Sequence, residues 1–235
     1  MPFWSWNDVM DPKEVRWQVR EMKRRGLGGF FMHNRIGLVT RFMGPEWMDC
    51  IAAAVDEAKT EKMQAWLYDE DRWPSGCVGG LVIKENADNG MKLLEIKEDG
   101  KGKYRFAVEK KDGKVVVYRK LSGKQRPKKG EELETYNTRI ADASAWFNEY
   151  PYSDNMHPDT VKTFIKICYE PYKKLFKSEF GKTIPGIFTD EPNVFSNQWG
   201  KFGSRIPWTW RLPAEFKKRR GYDLMKKLPE HFSTN

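Results

Sequence analysis

Four short apolar segments, each followed directly by polar residues, constrain the possible folds of this chain more than any other feature of its sequence. The segments are PFWSW, LGGFFM, MQAWLY and IPGIF, and helical periodicity separates the first three from one another. Parallel strands that are buried on both faces form continuous apolar runs, and helices connect them. The pattern therefore predicts repeated strand-helix units in a parallel sheet.

The polar residues lie where each predicted strand ends. They are Trp6 and Asn7, then His33 to Arg35, then Asp69 to Arg72, and finally Asp190 and Glu191. In a (β/α)8 barrel the carboxyl ends of the strands form the active-site face, whereas an open doubly wound sheet usually has a glycine-rich phosphate loop after its first strand. No such loop follows the first segment. The sequence therefore favours a (β/α)8 TIM barrel of which about the first four βα units are present.

Helix boundaries and turns predict how the chain is divided. Asp11 before Pro12 predicts the start of the first helix, Pro45 predicts the start of the second, and Pro171 predicts a kink in the third. Turn-like Asp99-Gly100 and Asp112-Gly113 predict antiparallel hairpins inserted after strand three. We expect three regions: 1–73 with three strands and two helices, 74–157 with the hairpins and a pocket loop, and 158–235 with a helix, the fourth strand and a final helical segment.

Composition and charge argue against several classes of protein. The net charge is +9, but the basic clusters KRR, GKQRPKKGEE and KKRR match no nucleic-acid motif, so we expect no nucleic-acid partner. No apolar run approaches the roughly 20 residues that cross a bilayer, so we expect no membrane partner. The residues after Met1 lack the pattern of a signal peptide, so we expect that the chain as written is not exported. Cys50, Cys77 and Cys168 are predicted to be unpaired thiols, because they are few and widely spaced.

Six blocks of the sequence resemble, in the same order, the catalytic region of the α-L-rhamnosidases of glycoside hydrolase family 106. The blocks are PFWSWN, GGFFMHNRIGL, WLYDEDRWPSG, WFNEYPYSD, PGIFTDEP and IPWTWRLPAEFKKRRGYDL, which cover nearly the whole chain except the hairpin insert. The resemblance implies a (β/α)8 barrel that hydrolyses terminal α-L-rhamnosides with inversion. It also implies calcium binding and export to the periplasm or the exterior, since these are usual in the family.

The length of the chain departs from this resemblance. A full barrel takes about 250 residues for eight units, whereas this chain uses 235 residues for four units, an insert and a helical segment. We therefore expect a truncated catalytic region, a fragment whose open strand edges pair with a missing half-barrel or with a second copy.

Glycoside hydrolysis requires a carboxylic acid that protonates the leaving oxygen and a second carboxylate that acts as base or nucleophile. Glu191 is the predicted acid, and it resembles the acid of the Asn-Glu-Pro motif in many glycosidase barrels; Pro192 after it predicts extended backbone. The alternative is a solvated acid that caps the next helix. Asp190 is predicted to point the other way and to form hydrogen bonds in the substrate site.

The other strand-end residues are predicted to bind the sugar. Asp69, Glu70, Asp71 and Arg72 would form a lattice of hydrogen bonds to hydroxyl groups, with or without a cation, and the alternative is a structural ion-pair network. Alternation along the strand places Asp69 and Asp71 on one side and Glu70 on the other.

His33, Arg35 and two tryptophans complete the predicted site. His33 and Arg35 would contact hydroxyl groups or orient Glu70 or Glu191, and a purely structural histidine is the alternative. Trp73 and Trp146 would stack on sugar rings, against the alternative of core packing. Asn148, Tyr152 and Asp154, in the block WFNEYPYSD, are weaker candidates for the pocket wall.

These residues lead to three hypotheses about function. The first is an α-L-rhamnosidase-like glycoside hydrolase, and the second is a catalytically inactive, carbohydrate-binding barrel fragment that lacks the second carboxylate. A metal-dependent hydrolase is disfavoured, because His33, His157 and His231 form neither an HxH nor an HExxH motif.

Overall fold

The computed structural model describes residues 1–97, 99–194 and 205–232. The strands of these residues, in chain order, are β1 (Phe3–Trp6), β2 (Gly29–Asn34), β3 (Gln64–Tyr68), β4 (Lys92–Ile96), β5 (Tyr104–Lys111), β6 (Lys114–Lys120), β7 (Glu132–Ile140), β8 (Ile187–Phe188) and β9 (Arg205–Trp208). The helices are α1 (Pro12–Arg24), α2 (Pro45–Thr60), α3 (Leu81–Glu85), α4 (Pro158–Phe164), α5 (Glu170–Phe176), α6 (Leu212–Arg220) and α7 (Leu228–Phe232).

The chain forms two compact units. The first unit comprises residues 1–87 and 143–193, and the second comprises residues 88–142 and 194–235. The region predicted as an insertion, 74–157, therefore contributes residues to both units.

A parallel sheet with the strand order β1-β2-β3-β8 is the centre of the first unit. Helices pack on one face of this sheet, where the ring of Trp6 lies 5.0 Å from that of Trp47 in α2. On the same face, Trp4 Nε1 donates a hydrogen bond to Gln18 of α1. Because side chains alternate along a strand, Phe3 and Ser5 point to the opposite face.

The predicted helix starts are confirmed. The Asp11 carboxylate accepts hydrogen bonds from the backbone N–H groups of Lys13 and Glu14 at 2.9 and 3.0 Å, which satisfies two of the donors that a helix start leaves unpaired. The second helix begins at Pro45, where the missing N–H of proline has no cost, and it buries Trp47 and Ile51.

The predicted (β/α)8 TIM barrel is wrong. The next described strand after β8 is β9. It pairs antiparallel with β4 instead of adding a parallel strand beside β8. The second unit is a five-stranded antiparallel sheet with the order β6-β5-β7-β4-β9, so the fold is mixed α/β. The prediction that a missing half-barrel pairs with this chain followed from the barrel fold, so it is withdrawn with that fold. Self-association of the chain stays a prediction.

The physical reason lies in the region that was predicted to be a local insert. Two-residue alternation in β4, β5 and β7 creates an apolar face of Leu94, Phe106, Val108 and Tyr136, to which β9 adds Trp208. The C-terminal helical segments contribute Leu224 and Leu228 to the same core. These residues form a hydrophobic core of their own, so the end of the chain packs here.

One of the two predicted hairpin turns is confirmed. Asp112 and Gly113 have φ values of 53° and 76°, and they join β5 to β6 through the pair Lys111 and Lys114. Positive φ at both central residues is typical of the tight turns whose twist matches a hairpin. The hairpin predicted at Asp99-Gly100 is wrong, because β7 is long enough to pair with both β4 and β5 and lies between them.

The irregularity predicted at Pro171 is present as a π-helical turn, Ile165–Tyr169, between α4 and α5. Proline has no N–H to donate to the preceding turn, so the helix is interrupted before it. The turn changes which side chains face the core: Cys168, Tyr172 and Phe176 are buried, whereas Ile165 and Leu175 are 41% and 56% exposed.

Two further observations concern the chain as a whole. The three cysteines are free and buried, which confirms the predicted unpaired thiols. Among the residues that the structure describes, none of the helices has the length and hydropathy that a bilayer crossing requires.

Candidate functional site

The face of the parallel sheet opposite the helices carries aromatic side chains. The rings of Phe3, Phe31 and Phe188 lie 5.0 to 5.5 Å from one another, and Trp66 lies 5.4 Å from Phe31. Phe3 is 51% exposed, so part of this face is open. Aromatic rings at these distances form a rigid apolar surface.

An open pocket of about 660 Å³ lies where this face reaches the carboxyl ends of the strands. It is lined by Phe3, Ser5, His33, Arg35, Trp73, Phe188, Asp190 and Glu191, and we call it the strand-end pocket. It brings together five of the residues that the sequence predicts to act: His33, Arg35, Trp73, Asp190 and Glu191. Ligands of open α/β sheets bind at this end of the strands, because the loops there leave a crevice.

His33 is buried at the edge of the strand-end pocket and lies against Tyr68, with ring centroids 4.1 Å apart. Burial and, secondarily, the nearby Arg35 lower the pKa of His33 from 6.5, so the imidazole is neutral at pH 7. Its Nδ1 atom is buried and has no hydrogen-bond partner among the described residues. A buried polar atom without a partner costs free energy of folding.

We expect His33 to make the protein less stable as the pH falls below 6.5. The unfolded chain binds the proton near the ordinary pKa of 6.5, whereas the folded protein binds it only at lower pH, so acid favours unfolding. His33→Gln should remove up to ~1.4 kcal/mol per pH unit from the slope of unfolding free energy between pH 5 and 6.5. The control is His231→Gln at an exposed position. Equal slopes for wild type and His33→Gln in urea titrations would contradict the expectation.

Asp190 and Glu191 lie beyond the end of β8, so strand alternation does not separate them, and both line the strand-end pocket. Tyr68 Oη donates a hydrogen bond of 2.8 Å to Asp190 Oδ2, and burial raises the pKa of Tyr68, which keeps this donor protonated. Glu191 is exposed and has a φ of 47°. The predicted extended backbone at Glu191 is therefore wrong, and the left-handed conformation is one that non-glycine residues adopt at some cost.

Asp69 is fully buried and has a structural set of contacts. Its Oδ1 accepts a hydrogen bond from Ser75 Oγ at 2.5 Å, and its Oδ2 accepts hydrogen bonds from Tyr169 Oη and Thr189 Oγ1 at 2.8 and 2.7 Å. Burial raises the pKa of Asp69, and these hydrogen bonds act in the opposite direction. Asp69 connects the end of β3 to β8 and to the π-helical turn.

Glu70 holds the loop that follows β3. Its carboxylate accepts hydrogen bonds from five backbone N–H groups, those of Asp71, Gly76, Cys77, Val78 and Gly79, at 2.6 to 3.0 Å. Burial raises the pKa of Glu70 to about 7, although the amide hydrogen bonds lower it. Both oxygens are used within the loop, so Glu70 faces the interior of the loop instead of a ligand.

The loop around Glu70 depends on glycine. Val78, Gly79 and Gly80 have φ values of 52°, 60° and 87°. In this left-handed turn the N–H groups of Val78 and Gly79 donate to the Glu70 carboxylate, and the N–H of Gly80 donates to the Cys77 carbonyl at 3.1 Å. A Cβ atom on Gly76, whose φ is 141°, would lie 2.5 Å from Ser153 Oγ. The glycines in PSGCVGG therefore make the enclosure of Glu70 possible.

Ser75 is a positioning residue that is not among the residues predicted from the sequence. Its Oγ donates to Asp69 and accepts a 2.8 Å hydrogen bond from the Asp190 N–H, while its own N–H donates to the Asp190 carbonyl at 2.8 Å. Ser75 therefore sets the backbone that carries Asp190 and Glu191. The signal in the sequence was Pro74 followed by the small residues Ser75 and Gly76, which is typical of a tight, hydrogen-bonded loop.

Ser75→Ala is expected to destabilise the protein by ~2 kcal/mol, because it leaves a buried carboxylate and a backbone N–H each without one partner. The substitution should also weaken ligand binding in the strand-end pocket, since Asp190 loses an anchor. Thermal unfolding and ligand titration measure the two effects. Ser178→Ala, at an exposed position on the same unit, is the control and should change neither quantity. A normal melting temperature for Ser75→Ala would contradict the assignment.

Asp71 and Arg72 do not line the strand-end pocket. Asp71 is half-buried, and its two oxygens accept hydrogen bonds from the side-chain amides of Asn34 and Asn148 at 3.1 and 2.8 Å. Arg72 donates to the Ala145 carbonyl at 2.9 Å, and no ion pair joins it to a carboxylate of the described residues. The predicted acidic cluster is thus divided into two buried acids and one accessible acid.

Trp73 and Trp146 form a pair beside Arg72. Trp146 Nε1 donates a 2.6 Å hydrogen bond to the Trp73 carbonyl, and the two rings lie edge to face with centroids 6.0 Å apart. Trp73 is 38% exposed and lines the strand-end pocket, whereas Trp146 does not line it. Of the weaker candidates, Tyr152 is buried and donates to the Ser75 carbonyl at 2.7 Å, so its contact is with the loop.

The calcium implied by the resemblance stays a prediction. No group of three His, Cys, Asp or Glu side chains among them is arranged to hold a metal ion. The oxygens of Asp69 and Glu70 are already used by internal donors, and calcium takes six to eight oxygen ligands.

Comparison with known proteins identifies no family for this chain. No protein-family model matches it, and no curated protein does. A rhamnosidase from Novosphingobium sp. PP1Y is similar at 20% sequence identity and a TM-score of 0.29, over 52% of this chain and 11% of that protein. This chain thus spans a small part of that protein, and a TM-score of this size does not establish a shared fold.

Proposed function

We propose that this protein is a glycoside hydrolase that acts on terminal 6-deoxyhexoses of the α-L-rhamnose type. One observation carries the proposal: the strand-end pocket places the carboxylates of Asp190 and Glu191 beside aromatic rings and a neutral histidine. This combination suits a sugar, because a sugar ring has apolar C–H faces and polar edges. The six sequence blocks that resemble family 106 support rhamnose in particular.

The two kinds of pocket wall suit the two sides of a deoxy sugar. Phe3, Trp73 and Phe188 offer apolar surface to the C–H face and to the methyl group that replaces the C6 hydroxyl group in rhamnose. The His33 imidazole and the Arg35 guanidinium offer hydrogen bonds to the ring hydroxyl groups. A sugar with a polar C6 group would place a hydroxyl group against these rings and lose a hydrogen bond to water.

Glu191 is the proposed general acid. Its exposed carboxyl group is at the pocket edge, where it can protonate the glycosidic oxygen as the bond to the anomeric carbon breaks. Water then adds to the anomeric carbon and gives up a proton to a second carboxylate. Asp190 is the other carboxylate of the pocket; Tyr68 holds its Oδ2, and its Oδ1 is the proposed acceptor of this proton.

This hydrogen bond from Tyr68 to Asp190 favours a second candidate function, sugar binding without hydrolysis. If Asp190 does not act as a base, Glu191 alone cannot complete the reaction. Two assays on the purified chain separate the candidates: NMR titration with L-rhamnose and with L-mannose, and hydrolysis of an aryl α-L-rhamnoside. We expect L-rhamnose to bind at least tenfold more tightly than L-mannose. Binding with turnover supports the hydrolase, binding without turnover supports the second candidate, and equal affinity for the two sugars contradicts both.

A further inference from the structure

A groove in the first unit lies apart from the strand-end pocket and has a different lining. Its volume is about 450 Å³, and no residue lines both the groove and the strand-end pocket. The lining comes mainly from the π-helical turn, from α5 and the residues after it, and from β8, and we call this site the lysine groove. It includes Ile165, Tyr169, Lys173, Lys177, Phe180 and Ile187. Small-molecule sites have volumes of roughly 300–1,000 Å³, and the lysine groove is within this range.

Strand β8 separates the lysine groove from the strand-end pocket. Ile187 pairs with Leu67, and Phe188 pairs with Tyr68. Because side chains alternate along a strand, Ile187 lines the groove and Phe188 lines the strand-end pocket on the opposite face. In the described sheet β8 is an edge strand, so none of the described strands closes the groove on its far side. A ligand can therefore enter there.

The floor of the lysine groove is apolar. The π-helical turn begins at Ile165 and leaves this side chain 41% exposed. Tyr169 contributes its ring, because its Oη is already hydrogen-bonded to Asp69 and Thr189 at 2.8 and 2.9 Å. Phe180 lines the same surface. Water contacts apolar groups unfavourably, so an aliphatic chain that displaced this water would gain free energy.

Two lysines lie at the edge of the floor. Lys173 and Lys177 are exposed and lie one helical turn apart, and among the described residues no ion pair joins either of them to a carboxylate. Another lysine of this segment, Lys166, pairs with Glu85 at 3.2 Å. Like charges four residues apart on a helix repel each other. An anion bound beside both ammonium groups would relieve this repulsion.

The charge of the lining limits the kind of anion. Glu170 also lines the groove, and no ion pair joins it to a basic residue of the described chain. Two lysines and one glutamate give the lining a net charge of +1. A single carboxylate matches this charge, whereas a dianion such as sulfate would meet stronger repulsion from Glu170. The apolar floor and the charge together fit an aliphatic carboxylate.

A second copy of this chain fits the lysine groove less well. In a symmetric dimer the same surface of both copies meets itself, so Lys173 and Lys177 of one copy would approach those of the other. Such a contact would add to the repulsion between the lysines, because it brings no acid except Glu170 to them. An aliphatic carboxylate complements both the charge and the floor.

We propose that the lysine groove binds an aliphatic carboxylate of medium chain length. Its carboxylate lies beside the ammonium groups of Lys173 and Lys177, and its chain lies on Ile165, the Tyr169 ring and Phe180. The site is independent of the proposed glycoside hydrolysis, because the groove and the strand-end pocket have no lining residue in common.

The first test is an NMR titration of the whole chain with acetate, butyrate, hexanoate, octanoate and the neutral 1-hexanol. Full burial of one methylene group strengthens binding roughly fourfold. The groove is open, so we expect a smaller gain for each group and an octanoate affinity at least tenfold above that of butyrate. Hexanoate should bind at least fivefold more tightly than 1-hexanol, and added salt should weaken the binding of hexanoate alone.

Two pairs of variants locate the site. Lys173→Gln/Lys177→Gln should raise the Kd of octanoate at least fivefold and leave that of 1-hexanol within twofold. Its matched control, Lys13→Gln/Lys23→Gln on α1, removes the same charge at exposed positions and should leave both values within twofold.

The second pair tests the apolar floor. Ile165→Gln should raise the Kd of octanoate and of 1-hexanol at least threefold, because both ligands lose apolar contact. Leu175→Gln is the control, since Leu175 is 56% exposed and lies outside the groove. Melting temperatures verify that all four variants are folded.

Four outcomes would overturn the proposal. An affinity that does not depend on chain length would indicate a simple anion site, and equal affinity for hexanoate and 1-hexanol would indicate an unspecific apolar surface. An equal loss of octanoate affinity in a variant and its control would place the ligand elsewhere. A dimer in light scattering that binds no octanoate would make a second copy the occupant. Turnover of an aryl α-L-rhamnoside tests the proposed function separately.

Discussion

Glu70→Ala is expected to destabilise the protein by at least ~3 kcal/mol, because five backbone N–H groups lose their shared acceptor. Alanine leaves these donors around the space that the carboxylate occupied, with no acceptor to replace it. For a protein of this length the loss corresponds to a decrease in melting temperature of roughly 6–12 °C. Thermal and urea unfolding at pH 8, above the Glu70 pKa of about 7, measure the effect on the ionised carboxylate.

Two further variants make this prediction specific. Glu70→Gln keeps one acceptor oxygen but turns an NH₂ group toward the backbone donors, so we expect a smaller but clear loss of stability. Glu85→Ala is the control, since Glu85 is exposed and pairs with Lys166 at 3.2 Å on the surface, where ion pairs contribute up to ~1 kcal/mol. A loss for Glu70→Ala no larger than that for Glu85→Ala would show that the loop does not depend on Glu70.

Glu191→Gln is expected to have the largest effect on activity. A carboxamide cannot protonate the leaving oxygen, so hydrolysis of rhamnosides with poor leaving groups should slow by ~10²- to 10⁴-fold. Aryl rhamnosides with good leaving groups should be affected much less, because their oxygen departs without protonation. The variant should still bind L-rhamnose, since Gln has nearly the shape of Glu. Steady-state rates on a paired series of substrates measure the difference.

Glu109→Gln is the control for Glu191→Gln, because Glu109 is exposed on β5 and lies outside the strand-end pocket. Its kcat should equal that of wild type on every substrate. If Glu191→Gln slowed good and poor leaving groups equally, Glu191 would have a role in positioning or binding instead of proton transfer. An unchanged rate on poor leaving groups would remove Glu191 from the mechanism.

The sequence alone predicts the local elements of the first unit well. Asp11 and Pro45 mark the starts of α1 and α2, and the apolar runs mark β1, β2 and β3, because capping residues and burial act on neighbours in the chain. Strand ends are local features too. For this reason the sequence placed His33, Arg35, Asp190 and Glu191 at one edge of the sheet, where the strand-end pocket is.

The arrangement of those elements required the tertiary structure. The same apolar runs are compatible with a barrel and with an open sheet, and the difference depends on where Arg205–Trp208 pairs. Its pairing with β4 depends on the core around Tyr136 and Trp208, which joins residues far apart in the sequence. No local pattern contains that information.

The roles within the acidic stretch were also decided in three dimensions. The sequence determined that Asp69, Glu70 and Asp71 follow a buried strand, and it could not distinguish them, because all three are carboxylates one residue apart. In the structure Asp69 is surrounded by hydroxyl groups, Glu70 by backbone N–H groups, and Asp71 remains accessible between two amides. The physical reason is that a carboxylate takes its role from its hydrogen-bond donors, and these come from segments that only the folded chain brings together.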